Sequence, residues 1–122
     1  MTSIAGVNPL PSYATYAATK AYVLSLSGAI AHELSERNVS VTALMPGVTS
    51  TEFFDISGQK PTIYTRLFGM SPSDVARIGV KAMLAERHSA IAGWRNWFCV
   101  TMAAIFPRRV RAWLTWQLNK NR

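Results

Sequence analysis

The sequence has one cysteine, few acidic residues and no cluster of glycines. Cys99 cannot form an internal disulfide, and alone it excludes a zinc site built from several cysteines. Nowhere do the seven glycines form a G-x-G-x-x-G motif or a related cluster, so the usual phosphate-cradling turn is missing. The almost continuously apolar stretch over residues 97–106 is too short to span a bilayer, which requires about 20 residues.

What is present indicates a folded chain made of two unlike regions. Of the 122 residues, 49% are hydrophobic and 16% are charged, which excludes a disordered protein and allows one domain with a modest core. Residues 1–93 carry seven Lys and Arg against six Asp and Glu, whereas residues 94–122 carry six basic residues and no acid. The second region also holds all four tryptophans: Trp94, Trp97, Trp113 and Trp116. We call residues 1–93 the body and residues 94–122 the tail.

Near the start of the longest predicted helix, Tyr16 and Lys20 are four residues apart. Residues with this spacing share one face of a helix, so the phenol and the ammonium can address the same ligand. An ammonium beside a phenol favours the phenolate, which makes the phenol a better general acid or base at neutral pH. Taken alone, such a pair is more often a packed tyrosine beside a solvated lysine. The motifs that flank the pair must therefore decide between a structural and a catalytic role.

Two further motifs flank this pair. Ser3 lies thirteen residues before Tyr16, in Ser3-Ile4-Ala5-Gly6, and Pro46-Gly47-Val48-Thr49-Ser50-Thr51 begins thirty residues after it, behind a β-like run. In this order and spacing the motifs resemble the short-chain dehydrogenase/reductase family. That family has a serine at the end of its fifth strand, Tyr-x-x-x-Lys on the next helix and Pro-Gly-x-x-x-Thr after the sixth strand. The resemblance runs from residue 3 to about residue 92.

The resemblance implies an oxidoreductase that moves a hydride between a nicotinamide cofactor, NAD or NADP, and an alcohol/carbonyl pair. It implies that Ser3 polarises the carbonyl, that Tyr16 donates the proton and that Lys20 assists Tyr16 and holds the nicotinamide ribose. The implied cofactor-binding residues are Tyr16, Lys20, Pro46, Gly47, Val48, Thr49 and Thr51. Thr49 stands where many relatives have an aliphatic residue, a change that a backbone contact would survive.

The resemblance also implies a missing half. In the family about 130 residues precede the serine and supply four strands, the pyrophosphate turn and the NAD or NADP selector. We therefore expect an α/β fold, the C-terminal part of a Rossmann-like doubly wound parallel sheet, followed by an amphipathic helical tail. The asparagine of the family's proton relay is also absent. We expect the isolated chain to bind NAD(P) poorly and to be inactive.

Within the body, the pattern predicts a helix from Tyr13 to Arg37, with Ser12 as its N-cap and Asn38 at its left-handed end. Its predicted buried stripe comprises Val23, Leu26, Ile30 and Leu34. In the family this helix packs against its twin, and Gly28 and Ala29 would permit close approach. The complete protein is thus expected to form a homodimer, although the helix that precedes the serine is missing.

Two strands and a second helix complete the predicted body. Val39 to Met45 is typical of a buried parallel strand that Pro46 and Gly47 end. Ser71 is a predicted N-cap for a helix over Pro72 to Glu86, and residues 88–93 contain a last short strand. This helix is expected to bury Val75, Gly79, Ala82 and Met83. His32 and His88 lack further ligands at metal spacing, and we predict no metal site.

Residues 52–70 correspond to the family's mobile substrate loop, and their apolar content favours a hydrophobic carbonyl or alcohol substrate. These side chains could equally close a core. The tail places Val110, Trp113, Leu114 and Leu118 on one helical face with basic residues around it, which is typical of a helix lying at a membrane surface. A helix packed on the body or on a partner subunit explains it equally well. We expect a cytoplasmic protein, with peripheral membrane contact as the alternative, and no nucleic acid partner.

Overall fold

A computed structural model of the chain describes residues 1–49 and 69–119. The elements in chain order are a 3₁₀ turn (Ile4–Gly6), helix α1 (Ala14–Glu33), a second 3₁₀ turn (Ser35–Arg37), strand β1 (Ala43–Met45), helix α2 (Pro72–Leu84), strand β2 (Ser89–Ile91), helix α3 (Trp94–Ile105) and helix α4 (Arg108–Asn119). Within these ranges the hydrophobic core consists of small side chains, since six of its nine buried residues are alanines.

The sheet is parallel, as predicted. Strands β1 and β2 pair with Leu44 opposite Ala90, and α2 makes the crossover between them. The first residues of the chain run along the other side of β1. The Thr2 N–H donates to the Leu44 carbonyl at 2.9 Å and the Ile4 N–H donates to the Pro46 carbonyl at 3.2 Å. From the first bond to the second, both segments advance by two residues in the same direction, which is the pattern of parallel pairing.

Strand β1 is shorter than predicted. The prediction began at Val39, but the strand begins at Ala43, and the Val39 side chain is 48% exposed. Its partner β2 extends only from Ser89 to Ile91, as predicted within residues 88–93. Within the described residues the pairing begins at Ala43, opposite Ser89, so β-propensity alone overestimated the strand.

Helix α1 departs from its prediction at the start. Ser12 is not the N-cap, because its φ angle is 70° and the cap position falls on Tyr13, which makes no side-chain cap bond. At the other end α1 stops at Glu33 and continues as the 3₁₀ turn to Arg37. Asn38 then adopts the predicted left-handed conformation, with φ 55°.

The predicted hydrophobic stripe of α1 is also wrong in part. Leu26 is 43% exposed, whereas the residues that α1 buries are Ala17 and Ala31. Val23, Ile30 and Leu34 are only half-buried. A search for apolar periodicity favours large side chains, but the face that contacts the 3₁₀ turn uses alanine because the two backbones come close together.

Helix α2 begins as predicted. Ser71 Oγ accepts a hydrogen bond from the Asp74 N–H at 3.1 Å, and the helix buries Val75 and Ala82. Gly79 also faces the sheet, since a Cβ built there would lie 2.7 Å from Leu44 Cδ2. The predicted burial of Met83 is wrong, because its side chain is 52% exposed. The helix ends at Leu84, two residues before the prediction.

The tail forms two helices, and Pro107 lies between them. Helix α3 buries Asn96 and Val100. Helix α4 is attached to the body through the loop after Ser3, because Thr115 Oγ1 donates to the Pro9 carbonyl at 2.9 Å. Arg111 Nη1 contacts the same loop, at 3.3 Å from the Val7 carbonyl and from Asn8 Oδ1. Among the described helices, none combines the length and the hydropathy needed to cross a membrane.

Candidate active site

The Ser3 segment lies directly against α1 at Lys20. Thr2 Oγ1 donates to the Lys20 carbonyl at 2.7 Å, and a Cβ built on Gly6 would lie 2.7 Å from the Lys20 carbonyl carbon. Only glycine permits such an approach of two backbones. The structure therefore packs the Ser3 segment against the backbone of α1 at Lys20.

Ser3 is buried, with 8% of its surface exposed. Its Oγ accepts a hydrogen bond from the Ala5 N–H at 3.2 Å and so caps the 3₁₀ turn. A hydroxyl that accepts one bond still has its own hydrogen to donate. Ser3 therefore retains a hydroxyl hydrogen that it can donate to the carbonyl oxygen of a substrate.

Tyr16 and Lys20 share one face of α1, as their spacing predicts. Lys20 Nζ lies 5.5 Å from the centroid of the Tyr16 ring, which is within cation–π distance. The phenol is 48% exposed, and Lys20 is half-buried. Within the described ranges, no ion pair joins Lys20 to a carboxylate. The ammonium therefore stands beside the phenol rather than in a salt bridge elsewhere.

The predicted cofactor turn, Pro46 to Thr49, follows β1 and is held at both ends. The Pro46 carbonyl accepts from the Ile4 N–H at 3.2 Å, and the Val48 carbonyl accepts from the Met70 N–H at 3.1 Å. Thr49 forms an isolated parallel bridge with Met70. These bonds keep the turn beside the Ser3 segment.

Thr51 and the apolar residues predicted for the substrate loop up to residue 68 lie outside the described residues. The cofactor contacts of Thr51 and the hydrophobic substrate loop therefore remain predictions.

One residue near this turn was missed by the sequence analysis. Asn96, in the first turn of α3, is 2% exposed and its Nδ2 donates to the Ala92 carbonyl at 2.8 Å. A Cβ on Gly47 would overlap its amide. Its only signal in the sequence is that an asparagine stands inside an aromatic, apolar stretch.

A cleft of about 590 Å³ lies between the loop after Ser3, α1 and the start of α4. Its lining includes Ala14, Ala17, Ala18 and Ala21 from α1 and Arg108 and Arg111 from the start of α4. Its lining includes neither Tyr16 nor Lys20, because these project from a different face of α1. We therefore do not place the candidate active site in this cleft.

The candidate site is located at the ends of three parallel segments. Ser3 follows the first segment, Pro46 follows β1 and Ala92 follows β2. In open α/β sheets, ligands bind beyond the carboxyl ends of the strands. The arrangement brings the Ser3 hydroxyl and a fixed backbone turn to one edge of the sheet, and it packs the Ser3 segment against the helix that carries Tyr16 and Lys20.

Comparison with known proteins agrees with these motifs. Residues 1–61, half of the chain, match the short chain dehydrogenase family. A 3-oxoacyl-(acyl-carrier-protein) reductase FabG of Rickettsia bellii is 31% identical over 96 residues, which are 74% of this chain and 39% of the relative. The human dehydrogenase/reductase SDR family member 4 is 33% identical over 101 residues, covering 76% of this chain and 36% of the relative. The uncharacterized oxidoreductase YhxD of Bacillus subtilis is 31% identical over 93 residues, 75% of this chain and 31% of the relative.

The chain thus spans less than two fifths of each of these relatives. No solved structure matches it at a significant level. The family has a Rossmann-like α/β fold, with which the parallel β1–α2–β2 unit is consistent. With half of its residues matched to this family, the chain belongs to the short-chain dehydrogenase family of oxidoreductases.

Proposed function

We propose that this chain carries the catalytic residues and the nicotinamide side of an NAD(P)-dependent oxidoreductase that acts on an alcohol/carbonyl pair. The observation that supports it is the contact of Thr2 and Gly6 with the backbone of α1 at Lys20, because it packs the Ser3 segment against the helix that carries Tyr16 and Lys20. The bond between Ile4 and Pro46 adds the turn after β1 to the same edge.

The residues present fit one half of the cofactor. A turn with both of its end carbonyls bonded, a half-buried lysine and a half-exposed phenol suit a nicotinamide riboside, whose amide and hydroxyls need fixed polar partners. Pro46 to Thr49 would hold the nicotinamide, and Lys20 with Tyr16 would hold the ribose. No glycine-rich turn for the pyrophosphate occurs in the 122 residues. We accordingly propose that this chain alone binds the dinucleotides weakly and does not turn over.

The cofactor, when bound, supplies or accepts the hydride. In the reduction direction the Tyr16 hydroxyl gives its proton to the carbonyl oxygen, and the phenolate regains a proton from water, which reaches it because the side chain is 48% exposed. The Lys20 ammonium stabilises the phenolate that remains. The Ser3 hydroxyl donates a hydrogen bond to the same oxygen as negative charge develops on it.

For the substrate we propose a hydrophobic carbonyl or alcohol compound. The support is the apolar composition of residues 52–70, together with the acyl substrates in the name of the Rickettsia bellii relative. Whether the cofactor is NAD or NADP depends on residues of the pyrophosphate half.

The cofactor half-site can be tested on the chain itself with nicotinamide mononucleotide, which needs only the nicotinamide side. We expect it to shift the backbone amide resonances of Val48 and Thr49, with a dissociation constant of about 1 mM or weaker. Adenosine monophosphate is the matched control ligand and should leave these resonances in place. Lys20→Met should reduce the response to the nicotinamide ligand. Equal shifts with both ligands, or with neither, would contradict the proposal.

A second candidate function is binding to an anionic membrane surface through the tail. Large apolar side chains of α3 and α4 stand in solvent: Trp94 is 74% exposed, Trp97 55%, Phe98 54%, Ile105 72% and Trp113 59%. The tail also has six basic residues and no acidic residue. Each basic side chain contributes about 1 kcal/mol of binding free energy near an anionic leaflet. The bond from Thr115 to Pro9 supports the competing interpretation of packing on the body, and the two are compatible because Trp113 remains exposed.

Co-sedimentation with vesicles distinguishes these alternatives. Vesicles rich in phosphatidylserine should retain the chain at low salt and release it at high salt, whereas neutral phosphatidylcholine vesicles should retain less. Trp97→Ser with Phe98→Ser should lower retention. Equal retention by both kinds of vesicle, or no effect of the double substitution, would contradict a membrane role for α3.

A further inference from the structure

Asn96 takes no part in the mechanism above, yet its side chain is the largest that is fully buried among the described residues. Its Nδ2 donates to the Ala92 carbonyl at 2.8 Å, whereas Oδ1 has no hydrogen-bond partner there. Burying an amide without satisfying it is unfavourable, so an apolar residue of similar size would serve packing better. The position of the amide therefore needs another explanation.

The amide lies flat against Gly47. A Cβ on Gly47 would overlap Nδ2 and would lie 2.8 Å from Cγ and 2.9 Å from Oδ1 of Asn96. Three atoms of one planar group thus occupy the space that a side chain at residue 47 would need. On the other side, a Cβ on Gly93 would lie 3.4 Å from Nδ2. The Asn96 amide is held between a glycine of the turn after β1 and the glycine that precedes α3.

Asn96 is also tied to the end of the sheet. The Ala92 carbonyl accepts a hydrogen bond from Asn96 Nδ2, and the Ala92 N–H donates to the Met45 carbonyl at 3.1 Å. Met45 immediately precedes Pro46. Through Ala92, the side chain is therefore fixed relative to the last bond between β1 and β2, where the turn begins.

We propose that Asn96 is a positioning residue, which holds Gly47 so that the backbone from Pro46 to Thr49 keeps the shape that receives the nicotinamide carboxamide. The inference rests on the cofactor half-site proposed above. Ile4 and Met70 fix the carbonyls of Pro46 and Val48 at the two ends of the turn, and the Asn96 amide supports its middle. A residue of the tail, beyond the 1–61 family match, thus completes the site of the body.

The first test substitutes Asn96→Ala and, with similar volume, Asn96→Leu. Both should weaken binding of nicotinamide mononucleotide by about tenfold. Amide hydrogen exchange of Val48 and Thr49 should accelerate, while exchange of Leu44 and Met45 in β1 stays as in the unsubstituted chain. A purely structural role would accelerate exchange in the strand and the turn together. That result, or unchanged binding in Asn96→Leu, would overturn the proposal.

A rescue pair keeps the test decisive if a single variant folds poorly. Gly47→Ala should abolish binding because its Cβ meets the amide, and adding Asn96→Gly should restore part of it. Gly79→Ala is the matched control, since its Cβ would meet the Leu44 side chain at 2.7 Å instead of Asn96, and Asn96→Gly should not relieve that contact. Absence of rescue at Gly47 would refute the contact.

The two proposals can fail separately. If the unsubstituted chain does not bind nicotinamide mononucleotide at all, the cofactor site is refuted. The exchange rates of Val48 and Thr49 would still decide whether Asn96 holds the turn.

Discussion

In the body, the candidate site is assembled by contacts between backbones, whereas the tail is joined to the body by a few side chains. The Ser3 segment meets α1 where Gly6 faces the Lys20 carbonyl, and it meets β1 through two main-chain hydrogen bonds. Among the described residues, the polar attachments of the tail include the Asn96 amide and the bonds from Arg111 and Thr115. A site built from backbone contacts depends on glycine and alanine, while the attached tail depends on particular polar groups.

The largest effect on stability is expected at Gly6. A Cβ there would lie 2.7 Å from the Lys20 carbonyl carbon and 2.9 Å from the Ala21 nitrogen, and a helix backbone cannot move aside as a side chain can. Gly6→Ala should lower the free energy of unfolding by about 2 kcal/mol or more. Urea denaturation followed by circular dichroism measures it.

Gly28 provides the matched control, because a Cβ there meets no atom within 4 Å and the residue lies inside α1. Gly28→Ala should raise the free energy of unfolding by about 0.5–1 kcal/mol, since alanine is the better helix former. If both substitutions stabilised the chain, the close contact between the Ser3 segment and α1 would be refuted.

The same contrast explains what the sequence could and could not predict. The cap at Ser71 and the left-handed Asn38 follow from the local chemistry of single residues, and both are present. The buried alanines of α1 were missed because periodicity favours large apolar residues. Asn96 was missed because its partner, Gly47, is distant in sequence and neither residue reveals the contact by itself.

An intermediate effect is expected where the tail meets the body. Thr115→Val keeps the shape of the side chain and removes a hydroxyl whose oxygen lies 2.9 Å from the Pro9 carbonyl oxygen and also 2.9 Å from the Arg111 carbonyl oxygen of its own helix. The free energy of unfolding should fall by about 1 kcal/mol, and amides of α4 should exchange faster than those of α1. Thr101→Val is the control, because within the described residues that hydroxyl donates to the Trp97 carbonyl of its own helix and to no group of the body. Equal exchange in the two variants would show that Thr115 does not hold α4 to the body.

The smallest effect on stability is expected at the exposed tryptophans of the tail. Trp97 is 55% exposed, so Trp97→Ser should change the free energy of unfolding by less than about 0.5 kcal/mol. Val100 lies one turn later in α3 and is 8% exposed. Val100→Ala should lower the free energy of unfolding by about 1–2 kcal/mol, although it removes far fewer atoms than Trp97→Ser. Thermal or urea unfolding of the two variants, measured side by side, gives the comparison. A large loss at Trp97 would mean that its ring packs on the body, and the membrane proposal would lose its main support. If only Val100→Ala causes a large loss of stability, Trp97 does not contribute to folding, and its ring is available to contact a surface outside the fold.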